Sequence, residues 1–358
     1  MAEDSGSNVL HERYDWLDQA RGLVVLMLIV SMSTSEFAGD LIVGEVSLGP
    51  PMWNHGYDYF DSVPAIITFI DIGQALFVFM MGFVGYIAFT SRIAKRGKRS
   101  GFLYALRRVG LLYALAGLDS VLLSLLANGR IEWDSFLYKG TFSSLALGAL
   151  TAFVGIVLCP KPDRRIVIAI AMTALHAVLY AFPIFDHRGW QDDMLRMPAF
   201  PFGALGMCSV ALAGSCFGQW YATNPDEPLQ GFRARIVPAS LLASLAAYSM
   251  DWMQPAQHHD ATAALQLYAI ACGGLMLMIF YAFGVVGFRI PLLSTLGKNL
   301  LLMFAVGGLG ASIYLNLVPR SLLMQSPVLT LLLGAIIPFV GLSLFARFLE
   351  KRGIMVRA

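Results

Sequence analysis

Charge is what this chain has least of. Only 13% of its 358 residues are Asp, Glu, Lys or Arg, about half the share usual in soluble domains. With 57% hydrophobic residues and a mean hydropathy of +0.67, a core shielded from water by a charged surface is excluded. Cysteine is also scarce: Cys159, Cys208, Cys216 and Cys272 sit in or beside apolar runs without CxxC spacing, which gives neither a disulfide framework nor a zinc site and reads as buried thiols. No Walker lysine motif occurs, and no GxGxxG opens a soluble helix, so nucleotide hydrolysis and dinucleotide redox chemistry have no support. The net charge of +2 gives no reason to expect a nucleic-acid partner. The first twenty residues carry Glu3, Asp4, Glu12, Arg13, Asp15 and Asp18, unlike the basic start of a cleavable signal peptide.

What the chain has in abundance is apolar runs of roughly 17 to 25 residues, the length a helix needs to cross about 30 Å of hydrocarbon. They predict an all-α, polytopic membrane bundle of about ten spans, near 22–38, 70–90, 108–127, 141–158, 166–183, 202–221, 235–251, 264–287, 293–315 and 327–349. Pro50-Pro51, Asn128-Gly129, Pro160 with Pro162, Asn224-Pro225, Pro255 and Pro291 punctuate the intervals. Residues 1–358 then form one membrane-embedded domain that includes a short cytoplasmic N-terminal segment, 1–20.

The cations give the bundle a side. All but five of the 25 Lys and Arg residues fall on the face that holds both termini and the 91–107 loop; the five are Arg130, Lys139, Arg188, Arg196 and Arg320. The positive-inside rule places the termini in the cytoplasm. The opposite face is acidic: its first loop, about 39–69, carries Asp40, Glu45, His55, Asp58 and Asp61, with Asp71 opening the next span. His187, His258 and His259 also fall on that side, so proton-transfer chemistry is most available there.

Asp71 begins an otherwise uncharged run and is expected to face the bundle interior, because carboxylates at membrane depth are costly and usually partnered. Asp119, well inside the third span, either lines a passage or bonds to a neighbouring helix. Asp18 and Arg21, spaced i, i+3, share a helical face and either anchor the helix start or simply obey the orientation rule. Arg21 is expected at the opposite membrane end from Asp71. His258-His259-Asp260 does not read as a metal site, since adjacent histidines diverge from one backbone. Gly214-x-x-x-Gly218, and the glycines at 273, 274, 307, 308 and 310, predict close helix packing. Trp190, Trp220, Tyr221 and Trp252 predict interfacial belts.

Two stretches carry a family resemblance. Leu17-Asp18-x-x-Arg21-Gly22 before the first span resembles the opening LDxxRG of several membrane acyltransferase families. Thr68-Phe69-Ile70-Asp71-Ile72-Gly73-Gln74-Ala75-Leu76-Phe77-Val78-Phe79-Met80-Met81-Gly82 resembles the TxxDLxFPxFxFxMG second span of the heparan-α-glucosaminide N-acetyltransferase family and its bacterial relatives, with Gln74-Ala75 in place of Phe-Pro. A basic loop follows that span, and Leu296-Gly297-Lys298-Asn299-Leu300-Leu301 is similar to the family's late GxNAL helix start.

The resemblance implies a transmembrane acyltransferase of a bacterial cytoplasmic (inner) membrane. It would take an acyl group, acetyl in the family's known relatives, from cytosolic acyl-CoA to a glycan or small-molecule acceptor outside. Acyl-CoA is then a co-substrate and the lipid bilayer a partner. The family's transfer histidine lies in the first outer loop, where only His55 occurs. By spacing from Asp71 that histidine falls nearer Asp61, so the role passes to His55 across a local insertion. His55 with Asp58, Asp61 and Asp71 forms the candidate catalytic set: an imidazole beside carboxylates can serve as a general base or transient acyl carrier. The alternative is a solvated loop histidine beside Asn54, Gly56 and Tyr57. Arg21, Arg107, Arg108, Lys298 and Asn299 are the candidate coenzyme A residues, though orientation and anionic lipid alone also account for the basic loop. A secondary transporter, or a non-catalytic protein of envelope-polymer assembly, fits the span count as well; no internal repeat favours the transporter.

Overall fold

In a computed structural model the chain is a helical bundle. The structure describes residues 14–38, 42–43, 46–47, 65, 67–131, 141–181, 202–223, 228–258, 261–318, 329 and 332–354. The helices are α1 (Asp15–Ala38), α2 (Phe69–Asn128), α3 (Thr141–Leu158), α4 (Pro162–Ala181), α5 (Phe202–Thr223), α6 (Pro228–Gly231), α7 (Val237–Asp251), α8 (Ala263–Val285), α9 (Pro291–Lys298), α10 (Leu300–Leu317) and α11 (Ile337–Lys351). The one ladder among the described residues is a two-residue antiparallel pair, Ile42–Val43 with Val46–Ser47. Three stretches, Asp71–Leu118, Pro162–Ala181 and Ala263–Val285, are long and apolar enough to cross a membrane.

Among the described residues, helix falls within each expected span, with two instructive departures. α2 contains the second and third expected spans, and it is not straight. Gly97 takes φ 79°, a left-handed conformation that glycine adopts without a Cβ clash. The chain doubles back there: Arg92 Nε reaches Ser100 Oγ at 3.4 Å, and Phe89 and Tyr104 both pack on Phe153 of α3. Lys95, Arg96, Lys98 and Arg99 ride on the exposed tip of this hairpin. The expected ninth span is instead divided. Asn299, at φ −123° and ψ 43°, separates α9 from α10.

The π turns Phe232–Ile236 and Leu332–Ile336 precede α7 and α11. Each lies just ahead of a proline, Pro238 or Pro338. Proline lacks the N–H that would bond the carbonyl four residues back, and a widened turn absorbs the misfit.

Two helices have inverted polarity. On α4 the buried residues are Arg165, Ala169, Thr173 and His176, while Val167 and Ile170 are 63% and 60% exposed, with Ile168, Leu175 and Val178 beside them. On α7 the buried residues are Ser240, Ala243, Ala247 and Asp251, and Leu241, Leu242 and Leu245 face outward. In water each such side chain would forgo about 1.5–3 kcal/mol of burial. Against hydrocarbon there is no such loss, and small or polar residues serve the helix contacts.

The core is aromatic and tightly spaced. α2 packs most extensively on α5 and α3, α1 on α9, and α8 on α7. Gly214 and Gly218 bring α5 onto the backbone of α2 at Phe79 and Phe83, as the small-residue spacing predicts, whereas Gly310 faces open space. Tyr221 is buried against Trp16 at 5.6 Å and Phe232 at 5.8 Å between ring centroids, so it belongs to the core and not to an interfacial belt.

Candidate functional site

The motifs from the two ends of the sequence meet. A Cβ on Gly22 would overlap the Leu293 carbonyl, and one on Gly297 would overlap the Asp18 carbonyl, so α1 and α9 touch backbone to backbone. Polar side chains ring this junction. Asp15 accepts hydrogen bonds from Ser294 Oγ at 2.5 Å and Gln19 Nε2 at 3.0 Å, and pairs with Arg289 Nε at 3.3 Å. Gln19 Oε1 accepts the Ile290 N–H at 2.8 Å. Arg21 Nη1 donates to Asp18 Oδ1 at 3.2 Å, with Asp18 buried. α11 closes the ring: Glu350 accepts from Lys298 Nζ and from Thr295 Oγ1, the latter at 2.7 Å, and Asn299 Nδ2 donates to the Ile354 carbonyl at 3.2 Å. The Lys298 hydrogen bond, reinforced by that of Thr295, holds the Glu350 carboxyl below its ordinary range.

Arg21 of α1 is thus brought to the end of α9, where Lys298 and Asn299 stand. Arg107 and Arg108 lie on the second arm of α2, where Arg107 is exposed and Arg108 donates to Tyr104 Oη at 3.0 Å.

Asp71 is buried, as its sequence context predicts. Its Oδ2 accepts from Thr68 N at 2.9 Å and Thr68 Oγ1 at 3.0 Å, a capping box that satisfies the first turn of α2. His55, Asp58 and Asp61 lie outside the described residues, as do His187, His259, Asp260 and the side chain of Asp119.

Asp71 is closer to the α1–α9 junction than the length of a span. Gly73 packs on Met27, 3.6 Å from its Cβ. Phe83 and Trp16 meet through Tyr221, so α1 and α2 run antiparallel in that register. Arg21 and Asp71 are therefore separated by about eight residues of helix, about 12 Å along the axis at 1.5 Å per residue. That is less than half of the hydrocarbon thickness.

What stands beside Asp71 has no signature in the sequence. His258 Nδ1 donates to the Asp71 backbone carbonyl at 2.9 Å. The segment that carries it, 252–262, is bound at several points. Asp251 Oδ1 accepts the Ala256 N–H at 2.7 Å and its Oδ2 accepts from Tyr268 Oη at 3.2 Å. Gln254 Oε1 accepts the Ala263 N–H at 3.2 Å, and Thr262 Oγ1 accepts the Gln257 N–H at 3.0 Å. Tyr180 Oη donates to Gln257 Oε1 at 3.3 Å, and Ala261 takes φ 48°. Deeper in the bundle, Thr173 Oγ1 donates to Ser209 Oγ at 3.1 Å and Gln266 Nε2 to the Ala261 carbonyl at 2.7 Å. No group of three or more His, Cys, Asp or Glu is gathered as for a metal ion among the described residues.

Arg165 was expected in a cytoplasmic loop. It lies instead in the first turn of α4, fully buried, donating to the Cys159 carbonyl at 2.9 Å, the Ser215 carbonyl at 3.3 Å and Gln219 Oε1 at 2.5 Å. It satisfies the carbonyl end of α3, where a cation is favoured by the helix dipole, and does not face an incoming anion.

No family model matches the sequence, and a search of curated proteins finds no match.

Proposed function

We propose that the chain is a multi-pass protein of a bacterial cytoplasmic membrane, with about ten spans and both termini inside. It moves an acyl group, acetyl foremost, from cytosolic acyl-CoA to a hydroxyl or amine on a glycan or small molecule outside. The observation that carries this reading is the short axial distance, about 12 Å, between the α1–α9 junction holding Arg21, Lys298 and Asn299 and the Asp71–His258 pair. The inner junction offers cations and amide donors to coenzyme A phosphates. The other end offers an imidazole and a carboxylate, the groups that accept a proton from an attacking acceptor. His55, Asp58 and Asp61 precede Asp71 in sequence and fall on the same side of the proposed topology. The resemblance to the heparan-α-glucosaminide N-acetyltransferase family points to the same chemistry.

The test is transfer of label from radiolabelled acetyl-CoA to glucosamine, or to water, by the purified protein in liposomes. Transfer that falls in Lys298→Ala supports the reading; absence of coenzyme A binding by the wild type refutes it. A secondary transporter is favoured by one observation, the helix broken at Asn299 between α9 and α10, since interrupted helices often hold transported ions. Solute uptake into the same liposomes without acetyl-CoA would identify it.

A further inference from the structure

The segment between α7 and α8 is short and turns at the end of the bundle, yet it is fixed by more side-chain bonds than a simple connection requires. Asp251, Gln254, Thr262 and Tyr180 each bond a backbone or side-chain group within it, and Ala261 is held at positive φ. Strain of that kind costs of order 1–3 kcal/mol and persists where the surroundings impose it. The outcome of all this bracing is the position of His258 against the first turn of α2.

The bond it makes decides its chemistry. A carbonyl oxygen can only accept, so the proton on the neutral ring resides on Nδ1 and Nε2 is the basic nitrogen. We propose, resting on the acyltransferase reading, that His258 is the general base of the outer-face reaction, receiving the proton of the acceptor at Nε2 while the Asp71 carbonyl holds Nδ1. When an acceptor hydroxyl attacks the thioester carbonyl carbon, the new C–O bond forms and the C–S bond breaks. The hydroxyl proton passes to Nε2, and the imidazolium then gives a proton to the departing thiolate, which leaves as the free thiol of coenzyme A. The carbonyl of Asp71 stabilises the transient cation without itself exchanging a proton. Among the described residues, the titratable groups that bond this segment or the turn it meets are Asp71 on α2, Asp251 at the end of α7, Tyr268 on α8 and Tyr180 on α4.

Two substitutions separate the base from its support. Asparagine places an amide N–H where Nδ1 stood and so keeps a donor for the Asp71 carbonyl while removing Nε2; alanine removes both. In liposomes with labelled acetyl-CoA and glucosamine, H258N is expected to lose about 10²- to 10⁴-fold in kcat, the usual contribution of a positioned base. Added imidazole is expected to restore part of the activity of H258A, which a merely structural role would not allow. Diethyl pyrocarbonate applied to the wild type should abolish transfer in step with carbethoxylation of His258, followed by peptide mapping; this covers the case in which a variant fails to fold. Full activity in H258N, or transfer that survives modification of His258, overturns the assignment and leaves the transferase reading intact. A wild type that binds coenzyme A but transfers nothing overturns that reading, and the base with it.

Discussion

The contact between Gly22 and Gly297 permits a quantitative test of the site's architecture. A Cβ built on Gly22 lies 2.5 Å from the Leu293 carbonyl carbon and 2.8 Å from its Cα; one on Gly297 lies 2.7 Å from the Asp18 carbonyl carbon and 2.8 Å from Gly22 N. Ordinary heavy-atom contacts are about 3.5–4.0 Å, and the facing carbonyl oxygens lie nearer still, so alanine at either position forces α1 and α9 apart by more than about 1 Å. The obstacle is backbone inside helices, and no rotamer change relieves it. Overpacking of this kind costs about 1–3 kcal/mol. The separation also stretches the Gln19–Ile290 and Ser294–Asp15 hydrogen bonds, 2.8 Å and 2.5 Å long, each worth about 1 kcal/mol net. Against this, alanine gains about 0.5–1 kcal/mol over glycine in a helix interior. The net expectation is a loss of about 2–4 kcal/mol for G22A or G297A.

The control is G110A, on the second arm of α2, where nothing lies within 4 Å of the added carbon; it should gain about 0.5–1 kcal/mol. Cys208 and Cys216 are buried, so a thiol-reactive fluorophore reports unfolding as the purified protein is heated. G22A and G297A should melt several degrees below the wild type and G110A at or above it. Melting of G22A or G297A together with G110A would falsify the backbone contact and, with it, the assembly of the α1–α9 junction from the two sequence motifs.

Three further outcomes follow from named contacts. Glu350 has its carboxyl pKa lowered by Lys298 and Thr295 from an ordinary value of 4.5; the stability this contributes is present above that value and disappears as pH falls through the lowered one. E350Q should therefore show a flatter loss of melting temperature below about pH 4.5 than the wild type. D71A removes the acceptor for Thr68 N and Oγ1, costing about 1 kcal/mol; amide exchange at residues 68–72 should accelerate in D71A and stay near wild type in D71N, which keeps an acceptor oxygen. R165M leaves the Cys159 and Ser215 carbonyls without their donor and should cost about 2–4 kcal/mol, and R165K should recover only part, because an ammonium cannot span both carbonyls as the fork does. Equal melting of R165K and wild type would contradict that geometry.

The helices were legible because their signal is long and redundant: an apolar run bounded by Asn128-Gly129 or Pro160 with Pro162 needs no tertiary information to be seen. Their breaks were not. The apolar run 293–315 reads as continuous, but Asn299 interrupts it, since its side chain bonds the Ile354 carbonyl after α11 has packed alongside. The same holds for Arg165. Counted as a loop cation by its position beside Lys161 and Arg164, it is drawn inward by the carbonyls at the end of α3 and by Gln219. The positive-inside rule assigns a cation a side of the membrane from sequence; whether it faces water or a helix terminus depends on what packs next to it.

The candidate site shows the same division. Asp18, Arg21, Gly22, Gly297, Lys298 and Asn299 stood out as two motifs, yet only the fold makes them one place, because the glycines have meaning only as a pair of absent side chains across a contact. Asp71 was marked by its isolation in an apolar run, a local property. For His258 the sequence indicates a side and no partner: adjacent His-His-Asp diverges from one backbone and does not read as a metal site. Its partner is a backbone carbonyl, which has no letter in the sequence. A side-chain partner would have left a residue type at a revealing spacing. Where a histidine's tautomer is set by main chain, composition and spacing are silent, and the position of the ring has to be read from the helix start that supplies the carbonyl.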